Sequence, residues 1–463
     1  MKFLLINPYW KKKKGSIWNE VSGCVIPHGL AVIAACLEKA GAEVRVLDTS
    51  AQVMTPAQLK EAIGSLHYDY IGITATTFII NDALAIARVC RESVPSAKIV
   101  FGGVHPTIFP EEVLGSEFVD LVVRGEGEET VVDLMTKVPE EIQGLSYKKA
   151  GKISHNPPRP FVRDLDSLPL PAYHLFPMNK YYPALGGYRR LPAISMITSR
   201  GCPGQCTFCY KEMFGTKVRT RSPESLCAEI RSLRDKYGIK EIVFYDDTFT
   251  VYQDRVLALC DLLVKERLDI SWSCMSRIDF VNERMLRAMK KAGCHQICYG
   301  IESGDEAVLN NIKKPLSLKR AEEVCAFTRS AGITLRLSFM LGNPGETESS
   351  MEKTIRLAIR LDPDIVQFNI TTPYPGSAMF VWAKQLGYLN TFNWQDYDLS
   401  HMVMDLPTVD RATVEKYYSR AYKKFYLRPR FIFRRAAKTL NPSELLLNAK
   451  AFFRIAGMIR SRK

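Results

Sequence analysis

Short apolar runs rich in β-branched residues alternate with stretches of helical periodicity along most of the chain. Five such runs, each followed by a helical pattern, fill the first 137 residues and predict a parallel, doubly wound α/β sheet. The predicted strands are Lys2–Asn7, Glu43–Asp48, Tyr70–Thr74, Lys98–Phe101 and Leu121–Arg124. The helical patterns lie near 29–40, 56–64, 81–92, 109–114 and 129–136.

Glycines and small polar residues follow four of these strands, where such sheets bind their ligands. The four loops are Asn7-Pro8, Thr74-Ala75-Thr76-Thr77, Gly102-Gly103-Val104-His105-Pro106-Thr107 and Gly125-Glu126-Gly127-Glu128. No Gly-x-Gly-x-x-Gly follows the first strand, so a nicotinamide dinucleotide is not favoured.

The alternation stops in a proline-rich segment and resumes after it. Elements such as Asn156-Pro157-Pro158 and Leu168-Pro169-Leu170-Pro171 continue neither a helix nor a central strand. Six strand–helix units then follow, which predicts a partial (βα)6 barrel with its chemistry at the carboxyl-terminal rim. Its predicted strands are Ala193–Thr198, Glu241–Tyr245, Ile270–Cys274, Gln296–Gly300, Thr334–Leu341 and Ile365–Ile370. Ser222-Pro223 is a helix start of this region.

We therefore expect four parts: a doubly wound domain at 1–137, a connecting segment at 138–192, the barrel at 193–410 and a helical tail at 411–463. The net charge of +14 belongs mostly to the tail, because fifteen Lys and Arg but only two acids lie at or beyond Arg411. Basic residues interleaved with aromatics fit either peripheral contact with anionic lipid or a helical cap on the barrel. Nucleic acid is a weaker third interpretation, and none is expected as a partner.

The composition is that of a globular protein, with 46% apolar and 24% charged residues in 463. No run of 18 apolar residues exists, which argues against a membrane-spanning helix. The N-terminal apolar stretch precedes its lysines and no small-residue cleavage site follows. A cytoplasmic location is expected, at most peripheral at the inner face of the membrane.

Three of the twelve cysteines, Cys202, Cys206 and Cys209, lie just after the first predicted barrel strand. Three thiolates on one short loop can each bind a different iron of a 4Fe-4S cluster and leave the fourth iron open. A structural zinc, with His295 or Cys294 as fourth ligand, and buried structural thiols are the alternatives. Most of the other nine cysteines are expected to be buried and reduced.

The pattern Cys-x3-Cys-x-aromatic-Cys, with Phe208 as the aromatic, resembles the motif of the radical S-adenosylmethionine (SAM) superfamily. The preceding domain is similar to the cobalamin-binding domain of one branch, which includes class B methyltransferases and the anaerobic magnesium-protoporphyrin IX monomethyl ester cyclases. The resemblance implies that the three cysteines hold the 4Fe-4S cluster. It also implies SAM as substrate and an external one-electron donor of the flavodoxin or ferredoxin type.

Residues at successive rim positions would bind SAM by the same resemblance. Phe208 would lie near the adenine, and the acids and Arg277 would meet the amino and carboxylate groups. The expected SAM-binding residues are Phe208, Asp246, Asp247, Arg277, Glu302, Ser303, Gly342, Gly345 and Tyr374. Alternatively, Arg277 and Glu302 form an ion pair at the rim and the two aspartates are ordinary loop acids.

The resemblance makes the front domain a cobalamin holder. Its expected cobalamin-binding residues are Asn7, Pro8, Thr76, Thr77, Gly102, Gly103, His105, Gly125 and Glu126. The Asp-x-His-x-x-Gly motif of cobalamin mutases is absent, which leaves His28 and His105 as candidate histidines. A domain that keeps the fold without the cofactor is the alternative. The run Lys11–Lys14 would lie near a bound phosphate or form a solvated loop.

The implied activity is reductive cleavage of SAM to methionine and a 5′-deoxyadenosyl radical, which removes a hydrogen atom from an unactivated carbon. With cobalamin, methylation of that carbon is expected. The substrate would be a hydrophobic lipid, isoprenoid or tetrapyrrole, or another secondary metabolite. Radical cyclisation without methyl transfer is one alternative, and a non-catalytic cobalamin- or cluster-binding protein is another.

Overall fold

The computed structural model describes residues 1–12, 22–64, 66–184 and 186–438. Its first sheet has seven strands in the order β2-β1-β3-β4-β5-β6-β7, and the first five are parallel. The strands are β1 (Lys2–Asn7), β2 (Glu43–Asp48), β3 (Tyr70–Thr74), β4 (Lys98–Gly102), β5 (Leu121–Val123), β6 (Leu145–Lys149) and β7 (Lys152–His155).

Helices cover both faces of this sheet, as the sequence predicts. They are α1 (His28–Lys39), α2 (Pro56–Ile63), α3 (Ile80–Ser93), α4 (Val104–Ile108), α5 (Pro110–Gly115) and α6 (Glu128–Asp133). One buried cluster joins α1 and α6 to Phe3 and Leu5, while another joins α2, α3 and α5 to Leu4 and Ile6. Alternate residues of β1 thus enter different cores, which confirms the doubly wound arrangement.

The antiparallel hairpin β6–β7 is the main difference from the predicted elements, because no strand was expected between 138 and 192. Leu145 and Tyr147 are buried against β5, so the hairpin extends the first sheet. Pro157 and Pro158 follow its last residue and do not interrupt it. The prolines therefore mark where the sheet ends.

The second sheet is parallel throughout, in the order β15-β14-β13-β12-β11-β8, and confirms a partial barrel. Its strands, together with the two-residue strands β9 and β10, are β8 (Ala193–Met196), β9 (Ser199–Arg200), β10 (Arg219–Thr220), β11 (Glu241–Phe244), β12 (Ser271–Ser276), β13 (Cys294–Glu302), β14 (Thr334–Leu341) and β15 (Ile365–Ile370).

Seven helices cover the outside of the barrel strands. They are α7 (Pro223–Tyr237), α8 (Gln253–Lys265), α9 (Glu283–Lys291), α10 (Glu306–Asn311), α11 (Leu318–Ser330), α12 (Glu348–Leu361) and α13 (Ala378–Gln385). Ser222 caps α7 by accepting a hydrogen bond from the Ser225 amide, as its position before Pro223 predicts. No helix among the described residues is long and apolar enough to cross a membrane.

The edge of the barrel at β15 is closed by the first tail helix, α14 (Arg411–Tyr426), which is followed by α15 (Pro429–Lys438). The Tyr422 hydroxyl lies 3.2 Å from the Phe368 amide nitrogen and 3.0 Å from its carbonyl oxygen. Tyr426 makes the equivalent pair of bonds with Val366. The two tyrosines thus satisfy edge groups that would otherwise be open to another strand.

The described part of the tail has the properties of a barrel cap. Glu352 pairs with Arg420 and Lys424, so part of the basic charge is neutralised by the barrel itself. Asp362 similarly pairs with the basic side chains of the turn into α15. The remaining 25 tail residues, 439–463, including the predicted helix start at Asn441, lie outside the described residues.

The nine scattered cysteines are free thiols, and seven of them are buried. Cys24 and Cys298 are only partly buried. Cys24 borders the front sheet, whereas Cys298 is on β13 in the barrel.

Candidate functional site

The three motif cysteines lie on a loop whose base is fixed by two very short strands. Ser199–Arg200 pairs antiparallel with Arg219–Thr220, so the residues between them form one closed excursion from the barrel rim. Gly201 has a φ of 95°, and a Cβ there would lie 2.6 Å from the Lys217 carbonyl oxygen. Only glycine fits this position without moving the backbone.

Two polar side chains lie close to the cysteine sulfurs. The Arg277 Nη1 lies 3.6 Å from the Cys206 Sγ, and the Thr248 Oγ1 lies 3.7 Å from the Cys202 Sγ. A Cβ at Gly204 would approach the Cys202 Sγ to 3.4 Å. A loop with small residues and donors close to its sulfurs suits thiolates that bind an iron–sulfur cluster. Within the described ranges, no three His, Cys, Asp or Glu side chains converge to hold a single metal ion.

Asp246 and Asp247, the acids after β11, have different surroundings. Asp246 is buried, and its carboxylate accepts hydrogen bonds from the Thr198 amide at 2.5 Å and the Ser199 amide at 3.0 Å. It therefore fixes the start of the cysteine loop, with both oxygens already used by Thr198 and Ser199. Asp247 is accessible to solvent at the rim, although the surrounding protein partly desolvates its carboxyl group. This desolvation, and then the nearby Asp246, raise the pKa of Asp247.

Glu302 and Ser303 are adjacent in the chain, but their side chains have different surroundings. The Lys314 Nζ donates to the Glu302 Oε1 at 2.6 Å, and both side chains are nearly buried. A Cβ at Gly300 would lie 2.3 Å from the Glu302 Oε1, so glycine makes room for this pair. Ser303 is fully buried with its hydroxyl 3.2 Å from that of Thr354, away from the barrel mouth.

Arg277 does not pair with Glu302, because its guanidinium donates to Asp279. The alternative of an ion pair between Arg277 and Glu302 is therefore wrong. The Arg277 guanidinium instead contacts Asp279 on one side and Cys206 of the cysteine loop on the other.

The remaining predicted SAM residues lie on the rim loops. Gly342 and Gly345 have φ values of 84° and 76°. The Glu346 carboxylate accepts from the Gly342 amide at 2.6 Å and holds this loop in place. The Tyr374 hydroxyl donates to the Tyr397 carbonyl, and Phe208 is half-buried against the barrel core. Of the predicted residues, Phe208 thus belongs to the cysteine loop itself, Arg277 contacts it at Cys206, and Asp247 is adjacent to Thr248, which lies beside Cys202.

A cavity of about 730 Å³ lies at the carboxyl ends of the front strands. Seven of the nine predicted cobalamin residues line it: Asn7, Pro8, Thr76, Gly102, Gly103, Gly125 and Glu126. The loops after β1 and β3 meet here, where the strand order of the sheet changes direction. Arg200, Met213 and Phe214 from the cysteine excursion form another part of the wall.

The other two predicted cobalamin residues do not line this cavity. Thr77 is buried. His105 is fully buried between Phe109 and Trp394, with its Nε2 3.4 Å from the Glu112 Oε1. His28, the other histidine considered, does line the cavity. Burial and the nearby arginines lower the pKa of His28 to about 3, which keeps its imidazole neutral.

Glu126 connects the cavity to the cysteine loop. Its carboxylate accepts from the Arg200 Nη1 at 2.9 Å and from the Arg219 Nη1 at 2.9 Å. Arg200 and Arg219 lie opposite each other in the β9–β10 pair, and Arg200 also pairs with Glu128. Like charges in opposite positions repel, so the buried carboxylates are needed to hold both arginines there.

Arg200, Arg219 and Lys314 have no motif in the sequence that marks them. Arg200 is adjacent to the motif glycine Gly201, which is a weak signal. Lys314 lies between α10 and α11 and reaches the rim only through the tertiary fold. Long-range pairs of this kind cannot be read from spacing along the chain.

The residues present fit the cofactors expected from the sequence. At Gly102 and Gly125 a Cβ would meet almost nothing in the protein, and both glycines line the cavity. The front wall therefore leaves space for a large ligand close to the backbone. The cysteine loop supplies three thiols and no fourth cysteine of its own, and the Arg277 and Thr248 side chains lie close to two of its sulfurs.

Family models match both parts of the chain. The B12 binding domain model matches residues 16–135, and the Radical SAM superfamily model matches residues 196–358. A B12-binding domain followed by a radical SAM domain is the domain order of the cobalamin-dependent radical SAM enzymes. An uncharacterised methyltransferase of Pyrococcus horikoshii is 37% identical over 93% of this chain and 94% of its own length. The chain belongs to the cobalamin-dependent radical SAM methyltransferase family.

Two further comparisons agree with this family. The anaerobic magnesium-protoporphyrin IX monomethyl ester cyclase of Rubrivivax gelatinosus is 26% identical over 93% of this chain and 78% of its own length. The solved cobalamin-dependent radical enzyme OxsB, with aqua-cobalamin and SAM bound, superposes with a TM-score of 0.77 at 16% identity, over 99% of this chain and 71% of that one. Cobalamin, a 4Fe-4S cluster and SAM, the cofactors expected from the sequence, are those of this family.

Proposed function

We propose that this enzyme transfers a methyl group from cobalamin to an unactivated carbon of a largely hydrophobic small molecule, after a radical formed from SAM has removed a hydrogen atom. The observation that carries the proposal is the shared wall between the two sites. Arg200 lies at the base of the cysteine excursion, and Met213 and Phe214 lie within it. All three also line the front cavity. A methyl transferase of this kind needs the two cofactors close together, whereas an electron carrier does not.

Cys202, Cys206 and Cys209 would hold the cluster, whose role when bound is to deliver the electron that cleaves SAM. Arg277 would donate a hydrogen bond to the Cys206 sulfur, and Thr248 would lie against the Cys202 sulfur, so that both hold the loop against the rim. Asp246 keeps the loop in register by accepting from Thr198 and Ser199. These residues act by positioning the cysteines.

Other residues of the rim would orient SAM. Asp247, exposed beside the loop, is suited to the ammonium group. The glycines of the Gly342–Gly345 loop leave the backbone open to the adenine, and Glu346 fixes that loop. Glu302 would reach the ribose hydroxyls with its position set by Lys314. The hydroxyl of Ser303 is occupied within the fold, so we assign it no contact with SAM.

The front cavity would hold cobalamin with the backbone of Gly102, Gly103 and Gly125 against the corrin. Gly103 has a φ of 100°, and a Cβ there would lie 2.8 Å from the Ala75 carbonyl oxygen, so the fold itself requires glycine. Glu126 faces the cavity, but its carboxylate is used by Arg200 and Arg219. Its proposed role is to fix the distance between the two cofactor sites.

A radical cyclase is the second candidate, favoured by the similarity to the Rubrivivax cyclase over nearly the whole chain. The two reactions differ in the fate of the SAM methyl group. Purified protein would be loaded anaerobically with iron, sulfide and cobalamin, then reduced with a flavodoxin or dithionite. We expect 5′-deoxyadenosine, and isotope from methyl-labelled SAM on cobalamin and on any product. A loaded protein that forms no 5′-deoxyadenosine contradicts the proposal, and unlabelled product favours the cyclase.

Peripheral membrane contact through 411–463 stays a prediction. The apolar face of α14 is used against the barrel, so such contact would depend on basic residues outside that face. Flotation with phosphatidylglycerol vesicles at low and high salt is the test. Binding that is lost at high salt supports contact with anionic lipid. Protein that stays at the bottom of the gradient at low salt excludes it.

A further inference from the structure

The interior of the barrel contains an arginine that has no acidic partner among the residues the structure describes. Along β14 the odd-numbered residues Leu335, Leu337 and Phe339 enter the outer core, so Arg336 and Ser338 face the interior. These two are partly exposed although the barrel is covered by helices. Cys298 and Gly300 on β13 and alternate residues of β15 are also partly exposed, which indicates an open lumen in the middle of the barrel.

Arg336 lies near the floor of this lumen. The floor is formed by Gly186 and Gly187, whose carbonyl oxygens accept from Gln296 at 2.9 Å and Ser273 at 3.4 Å. A Cβ built at Gly187 would lie 3.9 Å from the Arg336 Nη1. Arg336 therefore spans the space directly above the loop that closes the lower end of the barrel.

The neighbours of Arg336 are polar and uncharged. Its Nη2 donates to the Gln367 Oε1 at 2.7 Å, and its Nε is buried with no hydrogen-bond partner among the described residues. Gln367 donates in turn to Asn369, which donates to Ser338. In the part of the chain that the structure describes, no acid forms an ion pair with Arg336.

The acidic side chains nearest the lumen already have hydrogen-bonding partners. Glu302 pairs with Lys314 at 2.6 Å. Glu241, below the floor, accepts from His295 and from the backbone amides of Arg189 and Arg190. A guanidinium held in a partly desolvated place without a counter-ion is costly unless a ligand brings the negative charge. Planar guanidinium groups bind carboxylates and phosphates in this way.

We propose that the lumen floor binds an oxyanion group of the substrate, a carboxylate or a phosphate, through Arg336 and Gln367. This rests on the proposed function and narrows its substrate class to an amphipathic molecule with an acidic end. From Cys298, the β13 neighbour of Arg336, the strand continues four residues to Glu302 at the rim. That is about 13 Å at 3.3 Å per residue. The acidic end would sit at the floor and the carbon to be methylated near the rim.

Cys298 provides a reporter that needs neither turnover nor a known substrate. It is partly exposed and pairs with Arg336 in the register of β13 and β14. The cluster- and cobalamin-loaded protein is treated with an anionic methanethiosulfonate (the ethylsulfonate) and, separately, a cationic one (the ethyltrimethylammonium). Labelling of the Cys298 peptide is followed by mass spectrometry. Each rate is first divided by the rate of the same reagent with a small free thiol, because the two reagents differ in intrinsic reactivity. The ratio of these normalised rates on one thiol then cancels its degree of ionisation, and all ratios below are of normalised rates.

We expect the anionic reagent to label Cys298 roughly tenfold faster than the cationic one. Arg336→Gln should bring the ratio close to one, while Arg336→Lys should keep the preference for the anion. Arg360→Gln, the same charge change on the outer surface, is the matched control and should leave the ratio unchanged. A ratio near one in the wild type, or no labelling of Cys298 by either reagent, overturns the proposal.

Added anions then identify the kind of acidic end. Millimolar inorganic phosphate or acetate should slow labelling of the wild type, but not of Arg336→Gln. Stronger protection by phosphate indicates a phosphorylated substrate, and stronger protection by acetate indicates a carboxylate. Protection by neither counts against the site. A charge preference in a protein that makes no 5′-deoxyadenosine would leave the anion site standing and remove the proposed methyl transfer.

Discussion

The Arg200 guanidinium donates to the Glu126 carboxylate at 2.9 Å, across the boundary between the front sheet and the barrel. Arg200 is two residues from Cys202, and Glu126 lies in the loop that follows β5 on the cavity wall. One buried ion pair thus joins the loop that would carry the cluster to the cavity that would carry cobalamin.

Glu126→Gln should weaken both the fold and cobalamin binding. The substitution leaves Arg219 without its carboxylate and Arg200 with only Glu128, which costs about 3 kcal/mol of unfolding free energy for a buried pair. Cobalamin titration followed by absorbance should show at least a tenfold higher dissociation constant. Glu129→Gln is the control, because Glu129 is exposed and pairs only at the surface with Arg159. Equal effects of the two variants would show that Glu126 has no special role.

Gly102→Val should block the front cavity with little effect on folding. A Cβ at Gly102 meets only Val123, at 3.9 to 4.0 Å, so the larger side chain would extend into the cavity. We expect cobalamin binding to be lost while the thermal midpoint changes by only a few degrees. Gly115→Val is the matched control, since Gly115 also has open space around it but does not line the cavity. Retained cobalamin in Gly102→Val would place the cofactor elsewhere.

Cys202→Ala, Cys206→Ala and Cys209→Ala should each abolish the visible absorbance of the reconstituted cluster and the formation of 5′-deoxyadenosine. Each removes one of three iron ligands on a single loop. Cys260→Ala, in a buried core position on α8, is expected to keep both signals. A motif variant with full cluster content would contradict the assignment of that cysteine.

Tyr422→Phe should destabilise the barrel edge. Its hydroxyl is shared by the Phe368 amide and carbonyl, which lose their partner in a buried position. The expected loss is about 1–3 kcal/mol of unfolding free energy. Tyr417→Phe is the control, because the Tyr417 hydroxyl bonds the Glu348 side chain and leaves no backbone group unpaired. Denaturant titration of both variants is the measurement, and equal losses would contradict the edge-capping role.

The unfolding free energy should contain a contribution from Glu346 that depends on pH. Burial raises the pKa of Glu346 to about 8, from an ordinary value of 4.5. Between these values the folded chain binds the proton more tightly than the unfolded chain, so this contribution falls as pH rises from about 5 to about 8. Glu346→Gln should remove that part of the slope and keep an oxygen for the Gly342 amide. The same pH dependence of the unfolding free energy in the wild type and in Glu346→Gln would contradict this contribution.

The hydrophobic period and the cysteine spacing were enough to predict the two sheets and the position of the loop that carries the three cysteines. Both are local properties: strands alternate over a few residues, and three thiols within eight residues must share a loop. The hairpin β6–β7 was missed because prolines around it dominate the pattern. Contacts such as those of His105 with Trp394 depend on segments far apart in the chain. His105 in a glycine-rich loop looks like a ligand-binding residue, yet the fold uses it between aromatic rings.

Among the described residues, Gly186 and Gly187 lie across the lower end of the barrel, so the lumen is open at the rim. Under the proposed function, substrate and product would both pass through this mouth, on the side where the front domain lies. We therefore expect ordered binding, in which the substrate enters before SAM occupies the rim and the product leaves after the nucleoside.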